Sequence, residues 1–179
     1  MKELVTAKLH LATGFVANAP LDMGDIKAPK IRYHFECLDA DGNLKWEETV
    51  ENLVTTAGRT DIVDKYLKGS AYTAAWFMGL KGAGTPAASD TLASTGAWSI
   101  VTPYSGNRPS ITWGTTSSGS NTATAVSFSI NATATVAGAF VCSVASGTSG
   151  VLYSVTDFAA SRGVASGDTL NVTPTISVS

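Results

Sequence analysis

Four side chains in this 179-residue chain bind soft metals, Cys37, Cys142, His10 and His34, and together they could make a zinc site. Structural zinc sites space their ligands closely, as in C-x-x-C or H-x-x-x-H, so that one turn presents two donors. Neither pair is spaced that way, and no zinc site is expected. Asp39, Asp41 and Asn43 stand at alternate positions, as calcium ligands do. The EF-hand loop, however, places its glycine sixth, after the third ligand, whereas Gly42 comes fourth, so Asp39-Ala40-Asp41-Gly42-Asn43 reads as a plain turn. Asp90 and Asp157 could act as acid and base on a glycosidic bond. Each has a simpler role, Asp90 in a turn or cap at Ser89-Asp90-Thr91 and Asp157 at a strand end before Phe158. Arg108, just before Pro109, is expected to pair with Asp90 inside the fold or to face a neighbouring subunit.

The sequence contains no Gly-x-Ser-x-Gly elbow, phosphate loop, dinucleotide fingerprint or His-Glu-x-x-His. No catalytic, cofactor-binding or metal-binding residue is therefore assigned, and the expectation is a protein that is not an enzyme. Asn131-Ala132-Thr133 and Asn171-Val172-Thr173 match glycosylation acceptors, which carry no weight without a secretion signal.

The distribution of charge supports that expectation. The chain has 12 Lys/Arg and 14 Asp/Glu, yet after Ser70 only Lys81, Asp90, Arg108, Asp157, Arg162 and Asp168 remain. A catalytic centre needs convergent titratable groups, and the long Ser/Thr/Ala/Gly/Val part offers almost none. A net charge of −2 gives no basic footprint for nucleic acid. The start, Met1-Lys2-Glu3-Leu4-Val5-Thr6-Ala7-Lys8, is too charged for a signal peptide, and no stretch approaches the ~18 apolar residues of a membrane helix. No membrane partner is expected, and the chain reads as made in a cytoplasm. In that compartment Cys37 and Cys142 read as buried free thiols more readily than as a disulfide.

The elements that must carry these residues follow from periodicity. Residues 1–30 combine a strand-like Leu4–Leu11 with a loop containing Asn18, Pro20, Gly24 and Pro29, and read as an N-terminal arm that docks on its own domain or a neighbour. Residues 31–179 read as a single β-sandwich domain. A hairpin spans 31–50, Ile31–Leu38 and Leu44–Val50 alternating around the Asp-Gly turn. A short helix spans 57–68, capped by Thr56 or Thr60, with Ile62, Val63, Tyr66 and Leu67 forming a stripe over one end of a sheet and Gly69 stopping it.

Beyond Ser70 the period is two. Tyr72, Ala74, Trp76, Met78 and Leu80 share one face, as do Val126, Phe128 and Ile130, and Phe140, Cys142 and Val144. Val151, Tyr153 and Val155 form another set, and Leu170, Val172, Pro174, Ile176 and Val178 the last. Glycine-rich breaks separate half-buried antiparallel strands with Ser/Thr outside, the pattern of a mainly β sandwich or jelly roll with one short α-helix.

The stretch Trp76 to Ser94, with its Gly82-Ala83-Gly84-Thr85-Pro86 loop and Asp90-Thr91-Leu92 segment, resembles virion structural proteins of tailed bacteriophages. So do Asn52-Leu53-Val54-Thr55-Thr56-Ala57-Gly58-Arg59 before the helix, Tyr104-Ser105-Gly106-Asn107-Arg108-Pro109, and the closing Gly167-Asp168-Thr169-Leu170-Asn171-Val172. The resemblance runs over roughly residues 45–179. It implies a virion location and a capsid decoration, or cement, protein, with the major capsid protein and neighbouring copies of itself as partners and a trimer as the favoured oligomer. A phage tail or fibre module binding a host surface glycan is the alternative, and it would carry an exposed aromatic or polar pocket.

Overall fold

The computed structural model describes residues 29–71 and 75–178. The expected arm therefore lies outside the described residues as far as Ala28, as do Tyr72 and Ala74 of the first apolar face and the side chain of Leu67. Two antiparallel five-stranded sheets make a β-sandwich, with one short helix at its side. The first sheet contains β1 (Lys30–Leu38), β2 (Leu44–Glu51), β6 (Ser120–Thr122), β7 (Val126–Ser129) and β10 (Thr169–Ser177). Its order is β2-β1-β10-β6, and β7 also pairs with β10. The second, ordered β3-β9-β8-β4-β5, contains β3 (Leu53–Val54), β4 (Phe77–Lys81), β5 (Ile100–Val101), β8 (Ala134–Cys142) and β9 (Leu152–Val164).

The hairpin forms as the alternation requires. Gly42 takes φ +85°, which its missing Cβ permits. Asp39 Oδ1 accepts the amides of Asp41 at 3.0 Å and Asn43 at 2.8 Å. Those hydrogen bonds spend the Asp39 carboxylate on the turn and hold its pKa below the usual carboxylate range, the Asn43 amide contributing most.

Between the sheets lies the main core. Tyr33, Phe35, Leu170, Val172 and Phe128 from the first sheet meet Met78, Leu80, Val136, Val141 and Phe158 from the second. Phe158 packs edge-on against Phe35, with ring centroids 4.5 Å apart. A second apolar cluster lies on the far face of the second sheet, where Phe140, Cys142, Leu152 and Val155 are covered by Leu92 and Trp98. The expectation of Ser/Thr on every outer face thus holds for β7 and β10 and fails for β8 and β9. Phe140, Cys142 and Val144 do share a face, the covered one. Val151, Tyr153 and Val155 do not. The register steps from Val141↔Ser154 to Cys142↔Leu152, and this bulge turns Tyr153 inward while Leu152 and Val155 join the outer cluster.

Every one of the six late charges has a local partner. Lys81, fully buried, contacts the Asp157 carboxylate and the Gly84 carbonyl and donates to Gly82 O at 3.0 Å, while its ammonium lies 5.9 Å from the Trp98 ring centroid. The pairing Lys81↔Gly138↔Asp157 puts glycine on the strand between the two charges. Asp90 Oδ2 accepts from Trp98 Nε1 and from the Ala87 amide, each at 2.8 Å. Arg162 holds Glu48 through Nε at 3.2 Å and a terminal nitrogen at 3.0 Å. Asp168 is held by Lys45 at 2.5 Å and the Ala165 amide at 2.8 Å. Arg108 does not pair with Asp90. It donates to Val144 O and Gly147 O and faces the Phe140 ring at 5.4 Å.

Cys37 and Cys142 are separate free buried thiols, one in each cluster. Burial, reinforced by the Asp168 carboxylate nearby, pushes the Cys37 pKa up to about 11. Both edges of the long strand Thr169–Ser177 are covered within the chain, by β1 on one side and β6 and β7 on the other.

Candidate binding groove

At one end of the sandwich a groove of about 560 Å³ opens between the helix and the strand ends. Its helical wall begins at Thr55, the observed N-cap in place of Thr56 or Thr60. Thr55 Oγ1 accepts the Gly58 amide at 3.0 Å and donates to Leu152 O at 2.5 Å, and the Thr55 amide donates to Tyr153 O at 3.1 Å. The cap therefore fastens the start of α1 (Thr56–Ile62) to β9. Gly58 allows this approach, because a Cβ there would collide with the Tyr153 carbonyl.

After Ile62 the helix widens into a π turn over Val63–Leu67, and Gly69 at φ +75° ends it. The expected stripe is split as a result. Ile62 packs against the core, whereas Val63 is 52% and Tyr66 85% exposed. Asp61, Lys65 and Tyr66 line the groove from this side. Lys65 is committed to Ala71 O at 2.7 Å.

The opposite wall is built from Trp113, Thr116 and the tight turn Ser117–Ser120, where Ser118 and Gly119 both take positive φ, 49° and 74°. Asn121 fixes this wall by donating from Nδ2 to Gly114 O and Thr116 Oγ1, each at 2.9 Å. Its Oδ1 is shielded from water and has no hydrogen-bond donor. Val178, 58% exposed, forms the rim.

Ile31, Ile111, Val141 and Tyr153, all buried, make the floor together with Trp76. Trp76 meets Tyr153 edge-on at 5.1 Å. The groove is thus an aromatic and aliphatic trough with a few polar groups at its lip, the composition of small-molecule sites. Sequence reading marked Trp76 and Tyr66 only as core-facing. Nothing in the spacing of Trp113 or Asn121 joined them to the helix, since they meet only through the sandwich.

A shallower hollow of about 330 Å³ lies beside the Tyr104–Pro109 segment, lined by Tyr104, Ser105, Asn107, Ser127, Ser129 and Asn131 among others. Among the described residues one group brings three metal-ligating side chains together. His34, Glu36 and Glu47 have ligand atoms all within 4.8 Å of one another on the outer face of the hairpin, and His34 Nδ1 lies 3.0 Å from Thr49 Oγ1. His34 is thereby separated from Cys37, which points into the core, and His10 lies outside the described residues. Asp90 and Asp157, the imagined acid and base, are each held by separate partners, Trp98 and Lys81.

No protein-family model and no curated protein matches the chain.

Proposed function

We propose that this chain is a non-enzymatic structural protein of a tailed-bacteriophage particle, a capsid decoration protein that grips the outside of the head shell. The observation that carries this reading is the fate of the six late charges, each bonded to a partner in its own fold. Groups so engaged are poor acids, bases or nucleophiles, and the late part of the chain is left with a surface rich in serine, threonine and asparagine. On the outer face of the first sheet Ser127 bonds Asn171, and Thr122 bonds Thr175, while β1 and β2 put Arg32, His34, Glu36, Glu47 and Glu51 on the other half of that face. The neutral half, on β6, β7 and β10, can lie against a repetitive shell in many copies with little charge repulsion.

The resemblance of Trp76–Ser94, Tyr104–Pro109 and Gly167–Val172 to phage virion proteins supplies the location, with the major capsid protein and neighbouring copies as partners. A trimer is part of the same proposal and rests on that resemblance. The β2 edge carries Lys45, Glu47, Glu48 and Glu51 and needs no cover.

Heads assembled without the protein should take up the purified full-length chain to saturation and then resist heat better. Because the proposed contact is neutral, uptake should change little between low and high salt. Failure of heads to take up the chain would sink the reading, and uptake abolished by salt would sink the neutral-contact argument.

A further inference from the structure

We propose that the outer face of the hairpin binds a divalent transition-metal ion of the zinc class through His34, Glu36 and Glu47, a function independent of attachment to the shell. Close ligand spacing within one turn is the usual sequence mark of such a site, but a strand presents residues i and i+2 on one face and its neighbour adds a third opposite them. His34 and Glu36 are such a pair on β1. The register places Glu47 of β2 directly across from Glu36, and the ligand atoms of all three lie within 4.8 Å of one another.

Two further observations point to a cation. Like charges facing each other across an antiparallel pair destabilise a sheet, yet Glu36 and Glu47 face each other. The next cations on the same face of each strand, Arg32 and Lys45, are spent on Glu51 and Asp168. Glu47 makes no ion pair among the described residues, so the two carboxylates have beside them only the His34 imidazole, with Nε2 3.8 Å from Glu36 Oε1. The second observation is that His34 is oriented from outside the ligand set. Thr49 Oγ1 lies 3.0 Å from Nδ1, and by accepting the Nδ1 proton it leaves the Nε2 lone pair facing the carboxylates, the support that metal-bound histidines regularly have.

The donor set selects the metal. One imidazole nitrogen and two carboxylate oxygens suit zinc and its neighbours, whereas calcium and magnesium take oxygen ligands. Two carboxylates balance the charge of a dication, and the neutral imidazole adds none. In a tetrahedral site with bonds of about 2.0–2.2 Å the ligand atoms stand about 3.3 Å apart. Glu47 is exposed and closes the remaining gap by a change of rotamer, leaving the fourth position to water.

Calorimetric titration of the full-length protein, free of any purification tag, with zinc chloride tests this. A single site per chain is expected, with zinc raising the unfolding temperature and magnesium chloride at the same concentration neither binding there nor displacing zinc. His34→Gln and Glu47→Gln should each weaken zinc binding roughly tenfold or more. In metal-free buffer Glu47→Gln should unfold at the same or a slightly higher temperature than the parent, because it removes the facing charge. No zinc binding up to millimolar concentration overturns the proposal. So does binding that both variants retain in full, which would place the metal on other groups, or binding in which magnesium competes equally with zinc.

Discussion

Replacing Lys81 with methionine isolates the most buried charge among the described residues. Lys81 has no exposed surface, and its ammonium has three acceptors, the Asp157 carboxylate and the carbonyls of Gly82 and Gly84. Methionine keeps the length and apolar volume of the stem and removes all three donors. Breaking a buried ion pair by deleting one partner costs about 3–5 kcal/mol. The figure here is smaller, because the Asp157 side chain is 36% exposed and water can take over part of its hydration, as it can at exposed Gly84. The buried Gly82 carbonyl has no such recourse and loses about 1–3 kcal/mol. A net loss of about 2–3 kcal/mol follows. At roughly 2–4 °C per kcal/mol for a chain of this size, Tm should fall by about 5–10 °C in calorimetry near pH 7. A double variant, Lys81→Met with Asp157→Leu, should recover part of the loss, since it leaves no carboxylate without its cation. A single variant within about 2 °C of the parent, or a double variant that merely adds the two losses, would refute the idea that this pair pins the covered face of the second sheet.

Three other outcomes follow from the same geometry. Burial works against the Asp168 carboxylate, but the Lys45 ammonium and the Ala165 amide outweigh it and hold its pKa below the usual carboxylate range. Its stabilisation is therefore present above about pH 4 and lost as pH falls through the lowered value, so urea midpoints should drop on acidification and Asp168→Asn should flatten that part of the profile. Gly58→Ala should lower the unfolding free energy measured in urea by about 1–3 kcal/mol, because the new methyl meets the Tyr153 carbonyl, and unchanged stability would contradict the close helix–strand approach. With Cys37 pushed up to about 11 and Cys142 raised by burial, both thiols should resist iodoacetamide at pH 8 in the folded protein and react once it is unfolded.

The sandwich was legible wherever one face of a strand meets solvent. Val126, Phe128, Leu170 and Val172 alternate with Ser, Thr and Asn, and that period alone assigns them inward. It misleads in β8 and β9, which are covered on both sides. The run Val136–Cys142 is apolar almost throughout, the mark of a strand buried on both faces, while the bulge at Tyr153 reverses the phase of β9. Arg108 was expected to pair with Asp90 or to face a neighbour, and it does not pair with Asp90; the partners of Arg108 and Asp168 could not be read, because backbone carbonyls and distant Lys45 come together only through tertiary structure. The groove was hidden for the same reason. Its helical wall turns on a π widening after Ile62, and the regular 3.6-residue stripe that Val63 and Tyr66 suggested does not exist there.

A decoration protein is defined by where it sits in the particle and in how many copies. Quantitative mass spectrometry of dissociated particles, combined with a cryo-electron reconstruction of the head, should find hundreds of copies per virion arrayed on the outer shell in contact with the major capsid protein and with one another. A handful of copies confined to the tail, or none in the particle, would contradict it.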